Sequence, residues 1–177
     1  MNLKFTIRKE KPGDIVSIAY VTEEAFKTLK ISNHTEQFII NALRDAGALT
    51  LSLVAEIDGN VIGHIAFSSV TMSDGMSDWY GLGPVSVLPD YQCKGVGKAL
   101  IEEGLSRLND INAKGCCLVG HPDYYKKFGF KNVNELVHEG VPQEVFFVLS
   151  FAVNIPRGEV IFHDAFKATC QTRTGMS

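Results

Sequence analysis

The stretch that decides the fold of this chain is Val85-Ser86-Val87-Leu88-Pro89-Asp90-Tyr91-Gln92-Cys93-Lys94-Gly95-Val96-Gly97-Lys98-Ala99-Leu100. It predicts a buried strand, a loop, and a helix that begins at two closely spaced glycines. The first turn of a helix has backbone N–H groups without intrahelical acceptors, at the positive end of the helix dipole. Glycine lets a phosphate approach such a backbone because no Cβ stands in the way. The stretch therefore predicts an anion-binding cradle of main chain, with Lys94 and Lys98 adding positive charge beside it.

The spacing of the two glycines excludes two other phosphate-binding motifs. A Walker loop needs four residues between its glycines and a Lys-Ser/Thr pair after them, and neither is present. A dinucleotide-binding fingerprint needs a third glycine three residues after the second, where Leu100 stands. At this point a tight strand-to-helix turn without any ligand remains the alternative to a phosphate site.

Hydrophobic periodicity on either side of this stretch predicts alternating strands and helices. Asp58-Gly59 indicates a hairpin, and Asn33 with Glu36 indicates a capping box at the start of the second helix. A strand, a helix and a second strand in succession imply one parallel pairing. In chain order, the predicted elements are strand 3–8, helix 15–29, a helix from 33, strands 51–57, 61–67 and 82–88, helix 95–109, strand 115–119, a short helix 122–128, and strands 145–153 and 158–162.

These elements predict an α/β fold with a mixed central sheet, largely antiparallel with one parallel βαβ crossover, and helices on both faces. A chain of 177 residues is long enough for one domain with a substantial core. We expect a single domain over residues 1–177, with its core at about residues 3–153 and a C-terminal extension over residues 154–177.

Composition limits the classes of partner. The net formal charge is −3, whereas nucleic-acid binding needs a basic face. No apolar run is long enough to span a membrane, and no signal peptide is visible, so we expect a cytoplasmic protein. Its four cysteines, none in a CxxC pair, are then reduced thiols, and its scattered histidines predict no metal site. The cysteines are Cys93, Cys116, Cys117 and Cys170.

Two motifs in the chain are similar to those of one enzyme family. Gln92-Cys93-Lys94-Gly95-Val96-Gly97 matches the Q/R-x-x-G-x-G/A signature of the GNAT acetyltransferases, and Tyr124-Tyr125-Lys126-Lys127-Phe128-Gly129-Phe130 resembles their Y-x-x-x-G-F element. One helix and one strand separate the motifs, as in the family. The chain thus resembles a GNAT N-acetyltransferase over roughly residues 3–153, which implies acetyl-CoA as co-substrate and a primary amine of a small molecule, peptide or protein as acceptor.

The resemblance implies a role for each matching position. The main chain of Val85, Ser86 and Val87 would contact pantetheine and the thioester, and an N–H near Val87 would stabilise the oxyanion. Tyr125, four residues before Gly129, would protonate the leaving thiolate. Tyr124 is its rival, since neighbours on a helix point in different directions, and both could be packing residues. The residues that would hold the pyrophosphate are Gln92, Cys93, Lys94, Gly95, Val96, Gly97 and Lys98.

The chain departs from the family where the general base is expected. The stretch Tyr80-Gly81-Leu82-Gly83-Pro84 has no carboxylate, and Gly120-His121 stands where many members have asparagine. This departure supports an alternative function, a non-catalytic domain that binds or senses acyl-CoA. An interaction protein with a vestigial cleft is a third hypothesis. A chain of solvent molecules is one candidate for the base. The candidate side chains, each with a purely structural alternative, are Glu23, Glu24, His64, Asp78 and His121.

The acceptor itself is not legible from the sequence. In the family, the first two helices and the loops after the third and sixth strands build its site, and here Trp79 and Tyr80 are candidates to line it or to serve as packing residues. The resemblance also raises the hypothesis of a homodimer.

Overall fold

A computed structural model of the chain describes residues 2–169 and contains nine strands and four α-helices within them. Short 3₁₀ turns connect several of these elements. In chain order the elements are β1 (Thr6–Lys9), α1 (Ile15–Phe26), α2 (Glu36–Asp45), β2 (Leu49–Ile57), β3 (Asn60–Ser69), β4 (Thr71–Met72), β5 (Trp79–Val87), α3 (Val96–Asp110), β6 (Gly115–Val119), α4 (Pro122–Tyr125), β7 (Leu136–Val137), β8 (Phe146–Ser150) and β9 (Gly158–Ile161).

Six of the strands form a central sheet in the order β1-β2-β3-β5-β6-β8. The first four strands are antiparallel to their neighbours, β5 and β6 are parallel, and β8 returns antiparallel to β6. Helix α3 makes the crossover between the two parallel strands, as such a connection requires. The predicted fold class, a largely antiparallel mixed sheet with one parallel crossover, is confirmed.

Helices cover both faces of this sheet because side chains alternate along its strands. On β3, Ile65 and Phe67 face the core that contains Leu100 of α3. Ala66, between them, packs on the other face with Ile18 of α1. Each helix therefore buries one apolar stripe against one face of the sheet.

A second, three-stranded sheet in the order β4-β9-β7 was not predicted, although strand 158–162 was. Two of its strands have only two residues each, too few for an alternating pattern to be visible. Val160 of β9 joins a small core that also contains Trp79 and Phe146. Within the described residues, the segment after residue 153 thus packs against the rest of the chain through β9.

The turn after β2 has the predicted geometry, but the start of α2 does not. Asp58 and Gly59 both have positive φ, 50° and 81°, as a tight hairpin turn between twisted strands requires. The capping box at Asn33 was wrong, because the N-cap of α2 is Thr35. Glu36 instead accepts a hydrogen bond from the Ser32 hydroxyl.

The cysteines of the described residues are free thiols, Cys93 exposed and both Cys116 and Cys117 buried. Cys170 lies outside the described residues. No helix within residues 2–169 has the length and hydropathy needed to cross a membrane. Over the same range, no three His, Cys, Asp or Glu residues are grouped to hold a metal ion, and the absence of a metal remains a prediction.

Close packing between α3 and the sheet makes Gly104 a sensitive position. A Cβ built on Gly104 overlaps the ring of Phe67. In an open helix, alanine stabilises by up to about 1 kcal/mol relative to glycine. Here the overlap forces the ring or the helix to move, which costs about 1–3 kcal/mol. We expect Gly104→Ala to lower the free energy of unfolding, measured by urea denaturation, by about 1 kcal/mol or more.

Ser106→Ala is the matched control, since Ser106 is an exposed residue of the same helix. It should leave the free energy of unfolding unchanged or raise it by a few tenths of a kcal/mol, roughly the difference in helix propensity. A Gly104→Ala protein as stable as Ser106→Ala would contradict this account of the α3 interface.

Candidate active site

The neighbouring strands β5 and β6 of the central sheet separate before either strand ends. The parallel pairing runs from Trp79 opposite Gly115 to Gly81 opposite Cys117 and goes no further. Beyond it, β5 continues to Val87 with pairing to β3, and β6 continues with pairing to β8. Within the described residues, the far half of β5 therefore has a free edge that faces a gap in the sheet.

A bulge in β5 lies where the strands part. Ile65 of β3 pairs with Val85 of β5, and Phe67 pairs with Leu82. An advance of two residues along β3 thus corresponds to three residues along β5, so β5 contains one extra residue there. Bulges bend a strand and change the direction of its edge. The extra length falls at Gly83-Pro84, and proline has no N–H with which to continue a ladder.

After β5, residues 92–97 form the turn for which the sequence predicts an anion-binding site, and we call this turn the phosphate cradle. Cys93 and Gly95 both have left-handed backbone, with φ of 60° and 87°. Gly95 is the N-cap of α3, and no side chain caps this helix end. The first-turn N–H groups of α3 therefore remain available to an anion, in a concave main chain of the kind that binds phosphate.

The polar side chains of this loop contact the protein itself. Gln92 Nε2 donates a hydrogen bond to the Val87 carbonyl at 2.9 Å and so ties the loop to the end of β5. Lys94 Nζ donates to the Asp90 carbonyl at 2.8 Å, on the exposed side of the turn. These two hydrogen bonds position the loop. The first-turn N–H groups of α3 remain available to a ligand.

A cleft of about 690 Å³, which we call the loop cleft, connects these parts. Most of the residues predicted to bind the cofactor line it, as does the end of α1. The side chains of Ser86 and Val96 are buried, each 1% exposed, and together with Lys94 they do not line the cleft. The lining residues are Ala25, Phe26, Thr28, Leu29, Val85, Val87, Gln92, Cys93, Gly95, Gly97, Lys98, Tyr124, Tyr125 and Lys127.

Both tyrosines of the second motif line the loop cleft, but they point to different parts of it. Their rings meet edge to face, with centroids 5.0 Å apart. The Tyr124 hydroxyl lies 3.2 Å from the position of a Cβ on Gly97, above the first turn of α3. The Tyr125 ring packs against Phe130 and Phe147 instead. Tyr124 is therefore the tyrosine nearer to the phosphate cradle.

Burial keeps the Tyr125 phenol protonated. It raises the pKa of Tyr125 to about 12, with the neighbouring Tyr124 as a smaller cause. Burial also raises the pKa of Tyr124. A phenol that keeps its proton at neutral pH can donate it to a leaving group.

The position of Tyr125 explains one departure from the family pattern. A Cβ built on Gly120 would overlap the Tyr125 ring, so the residue that follows β6 has no room for a side chain. Asparagine at this position would displace the ring. Glycine at 120 and tyrosine at 125 are thus a matched pair in this chain.

None of the five candidate bases lines the loop cleft or the cavity on the other side of β5. His64 is fully buried with Nε2 2.7 Å from the Ser52 hydroxyl, and burial lowers its pKa to about 3. His121 caps α4 by accepting from the Asp123 N–H at 3.3 Å.

The three carboxylates among these candidates lie on the surface. Glu24 pairs with Lys27 at 3.2 Å on the outer side of α1, close to the exposed Glu23. Asp78 is exposed and lies 3.9 Å from Lys114. These three carboxylates are therefore surface groups, as the structural alternative for each of them predicts.

The second cavity, which we call the acidic cavity, has a volume of about 550 Å³ and lies beside the bulge of β5. Phe26 of α1 lines both cavities, so they adjoin there. Trp79 and Tyr80 line neither, and Trp79 is instead buried in the second core. The lining residues are Phe26, Glu36, Ile39, Leu82, Gly83, Pro84, Val119, His138, Glu139, Glu159, Val160, Ile161, Phe162, His163, Asp164, Phe166 and Lys167.

Two polar groups of the acidic cavity have unpaired buried atoms. Glu36 Oε2 and His138 Nδ1 have no hydrogen-bond partner within the described residues. Burial lowers the pKa of His138, which favours the neutral imidazole. Sequence reasoning missed the cavity's carboxylates because they come from distant segments, and no local spacing links them.

Comparison with known proteins agrees with this geometry. The sequence profile described as the acetyltransferase (GNAT) domain matches residues 49–132. A GNAT family acetyltransferase from Brucella melitensis, solved in complex with acetyl-CoA, is 48% identical, with a TM-score of 0.83 over 92% of this chain and 98% of its own. The GNAT family N-acetyltransferase YhbS from Escherichia coli, solved in complex with CoA, is 30% identical, with a TM-score of 0.87 over 97% of this chain and 96% of its own.

Sequence similarity alone leads to the same group. The uncharacterized N-acetyltransferase YhbS of Escherichia coli strain K12 is 35% identical over 126 residues, which are 71% of this chain and 72% of that protein. The parted strands, the uncapped helix and the two signature motifs occur together with this similarity, and the chain therefore belongs to the GNAT family of N-acetyltransferases.

Proposed function

We propose that this protein transfers the acetyl group of acetyl-CoA to a primary amine, by direct attack within a ternary complex. The observation that carries the proposal is that one strand lines both cavities. Val85 and Val87 of β5 line the loop cleft, while Leu82, Gly83 and Pro84 of the same strand line the acidic cavity. An acetyl group held at the middle of β5 would lie between a cofactor on one side and an amine on the other.

The residues of the loop cleft suit CoA. Backbone N–H groups at the start of α3 would bind its diphosphate, and Gly97 leaves space for that approach. The free edge of β5 would pair with pantetheine as an added strand would. The cofactor would supply the acetyl group as an activated thioester. Two similar structures support this cleft as the cofactor site, one solved in complex with acetyl-CoA and the other in complex with CoA.

For the transfer itself, we assign two groups of this chain. A backbone N–H near Val87 donates to the thioester oxygen as negative charge develops there. The amine nitrogen bonds to the carbonyl carbon, the carbon–sulfur bond breaks, and Tyr125 donates a proton to the leaving thiolate. An acceptor that binds as an ammonium ion first loses one proton to water in the acidic cavity, and the nitrogen loses a second proton to water after the attack. Solvent then restores the proton of Tyr125.

The positions of the thiols argue against a covalent acetyl-enzyme. Cys93 lies in the phosphate cradle, two residues before the N-cap of α3, whereas the thioester would lie along β5. Cys116 and Cys117 are buried, and burial raises the pKa of each thiol, which leaves little nucleophilic thiolate.

The alternative function, a domain that binds or senses acyl-CoA without turnover, rested on the missing carboxylate in β5. The acidic cavity supplies carboxylates from other elements, among them Glu36 and Glu159. Cationic acceptors can therefore bind beside the thioester without a carboxylate on the strand itself, which supports a catalytic role.

The phosphate cradle can be tested at Gly97. Gly97→Leu extends a side chain from the first turn of α3 toward the Tyr124 hydroxyl and into the space proposed for the diphosphate. We expect the affinity for CoA, measured by calorimetric titration, to fall by about tenfold or more, which is roughly 1.4 kcal/mol.

Gly13→Leu makes the same change at a glycine whose Cβ would meet no atom within 4 Å, and it should bind CoA like the parent. Thermal unfolding of both variants verifies that they are folded. If folded Gly97→Leu binds CoA as tightly as Gly13→Leu, the proposed position of the diphosphate is wrong.

The proton donor can be tested with Tyr125→Phe, which removes the hydroxyl and keeps the ring against Phe130 and Phe147. We expect kcat to fall by about 10²–10⁴-fold, the usual contribution of general acid catalysis, with little change in the affinity for CoA. Tyr124→Phe, the matched control, should change kcat by less than about tenfold, the effect of one neutral hydrogen bond.

The pH dependence of the parent enzyme gives a second measurement. A general acid loses activity as the pH rises through its pKa, and burial places the pKa of Tyr125 at about 12. The kcat should therefore not decline between about pH 8 and about pH 10, where an unperturbed tyrosine begins to lose its proton.

A larger loss of kcat in Tyr124→Phe than in Tyr125→Phe would reverse the assignment of the proton donor.

A further inference from the structure

We propose that the acidic cavity selects a primary amine carried on an apolar body, such as an arylalkylamine, over a polyamine or an amino acid. This inference rests on the proposed function, because it names the class of acceptor for that same site. Four features of the cavity carry it: its volume, its exposed apolar side chains, its row of aromatic rings and its carboxylates.

The acidic cavity has the size and the uncovered apolar surface of a small-molecule site. Its volume of about 550 Å³ lies in the range of ligand pockets. Val119 and Ile161 line it and are 48% and 50% exposed, although both are large apolar side chains. A ligand with an apolar body would cover them, whereas a polar amine would leave them in contact with water.

One wall of the cavity is aromatic. The rings of His138 and Phe162 are tilted by 32° to each other, with centroids 4.8 Å apart. Phe166 meets Phe162 edge to face at 5.1 Å. Aromatic rings favour offset and edge-to-face neighbours, so a planar ring in the ligand extends this row.

The charge of the cavity suits a cation rather than an anion. Four carboxylates line it, against one lysine, Lys167, which lies 3.7 Å from Asp164. Glu36 has one carboxylate oxygen that is buried and has no partner within the described residues. An ammonium group would pair with such an oxygen, whereas the carboxylate of an amino acid would be repelled.

The positions of these groups also orient the ligand. Glu36 is the first residue of α2 and lines the acidic cavity. Phe26 lines the same cavity and also lines the loop cleft. Ile161 and Phe162 belong to β9 and the residue after it, on the wall formed by the C-terminal part of the described chain. We therefore place the amine toward the acetyl group and the apolar body against the β9 wall.

The test begins with three acceptors and acetyl-CoA, with the release of free CoA thiol as the measurement. 2-Phenylethylamine has the amine and the ring, phenylalanine adds a carboxylate to the same body, and putrescine has amines without the body. We expect kcat/KM for 2-phenylethylamine to exceed that for each of the others by about tenfold or more, roughly one well-matched contact.

Two variants then locate the selection. Ile161→Ser should raise KM for 2-phenylethylamine by about fivefold or more and leave KM for putrescine unchanged, because only the apolar body uses this side chain. Val153→Ser is its control, since Val153 is 99% exposed and lines neither cavity.

Glu36→Gln should raise KM for both amines with kcat nearly unchanged. Glu144→Gln is its control and should have no effect, since Glu144 is exposed and lies outside both cavities.

The outcomes separate this inference from the proposed function. Faster turnover of putrescine or phenylalanine, with no effect of Ile161→Ser, would overturn the acceptor class and leave the acetyltransferase activity established. Absence of turnover with every amine, while calorimetry shows that acetyl-CoA binds, would overturn the proposed function and this inference together. A fall in kcat without a rise in KM in Glu36→Gln would contradict the recognition of the ammonium group by Glu36.

Discussion

The parting of β5 and β6 is the constraint on which the rest of the structure depends. The strands pair over three residues and then separate, each held on its outer side by an antiparallel neighbour. Had the ladder continued, the backbone groups of β5 would be satisfied within the sheet and no gap would remain for a ligand. The bulge at Gly83-Pro84 turns the strand at this point, and Pro84 has no N–H to extend the pairing.

The loop cleft, where we propose that the cofactor binds, is arranged around that free edge. The chain leaves β5 through a turn with two left-handed residues and enters α3 with its first N–H groups uncapped. Gln92 holds this loop through the last carbonyl of β5, so strand and cradle keep their relative positions. Tyr125, fixed against Gly120, Phe130 and Phe147, extends from the far side of the gap. Rigid elements thus position every group to which the proposed chemistry assigns a role.

The acidic cavity, where we propose that the acceptor binds, is built differently. The acidic cavity takes residues from two helices, the bulge of β5, the end of β6, the segment after β7, and β9 with the turn that follows it. Its Glu36, Glu139 and Glu159 are far apart in the chain and share no motif. The sequence offered five side chains, or a chain of solvent, as the general base, and none of those five residues lines either cavity. The prediction of a capping box at Asn33 was wrong for a related reason. Glu36 accepts a hydrogen bond from the Ser32 hydroxyl, and it is the first residue of α2 after the N-cap Thr35.

The sequence by itself determined the order of the main strands and helices, the glycine loop at the start of α3 and the tyrosine that follows β6. These features depend on backbone conformation and on contacts between near neighbours, which residue type and spacing report directly. Only the tertiary structure decided which tyrosine faces the phosphate cradle, where the sheet opens and which carboxylates meet in the acidic cavity. Those outcomes depend on how segments distant in the chain pack together, and local sequence spacing carries no record of such contacts.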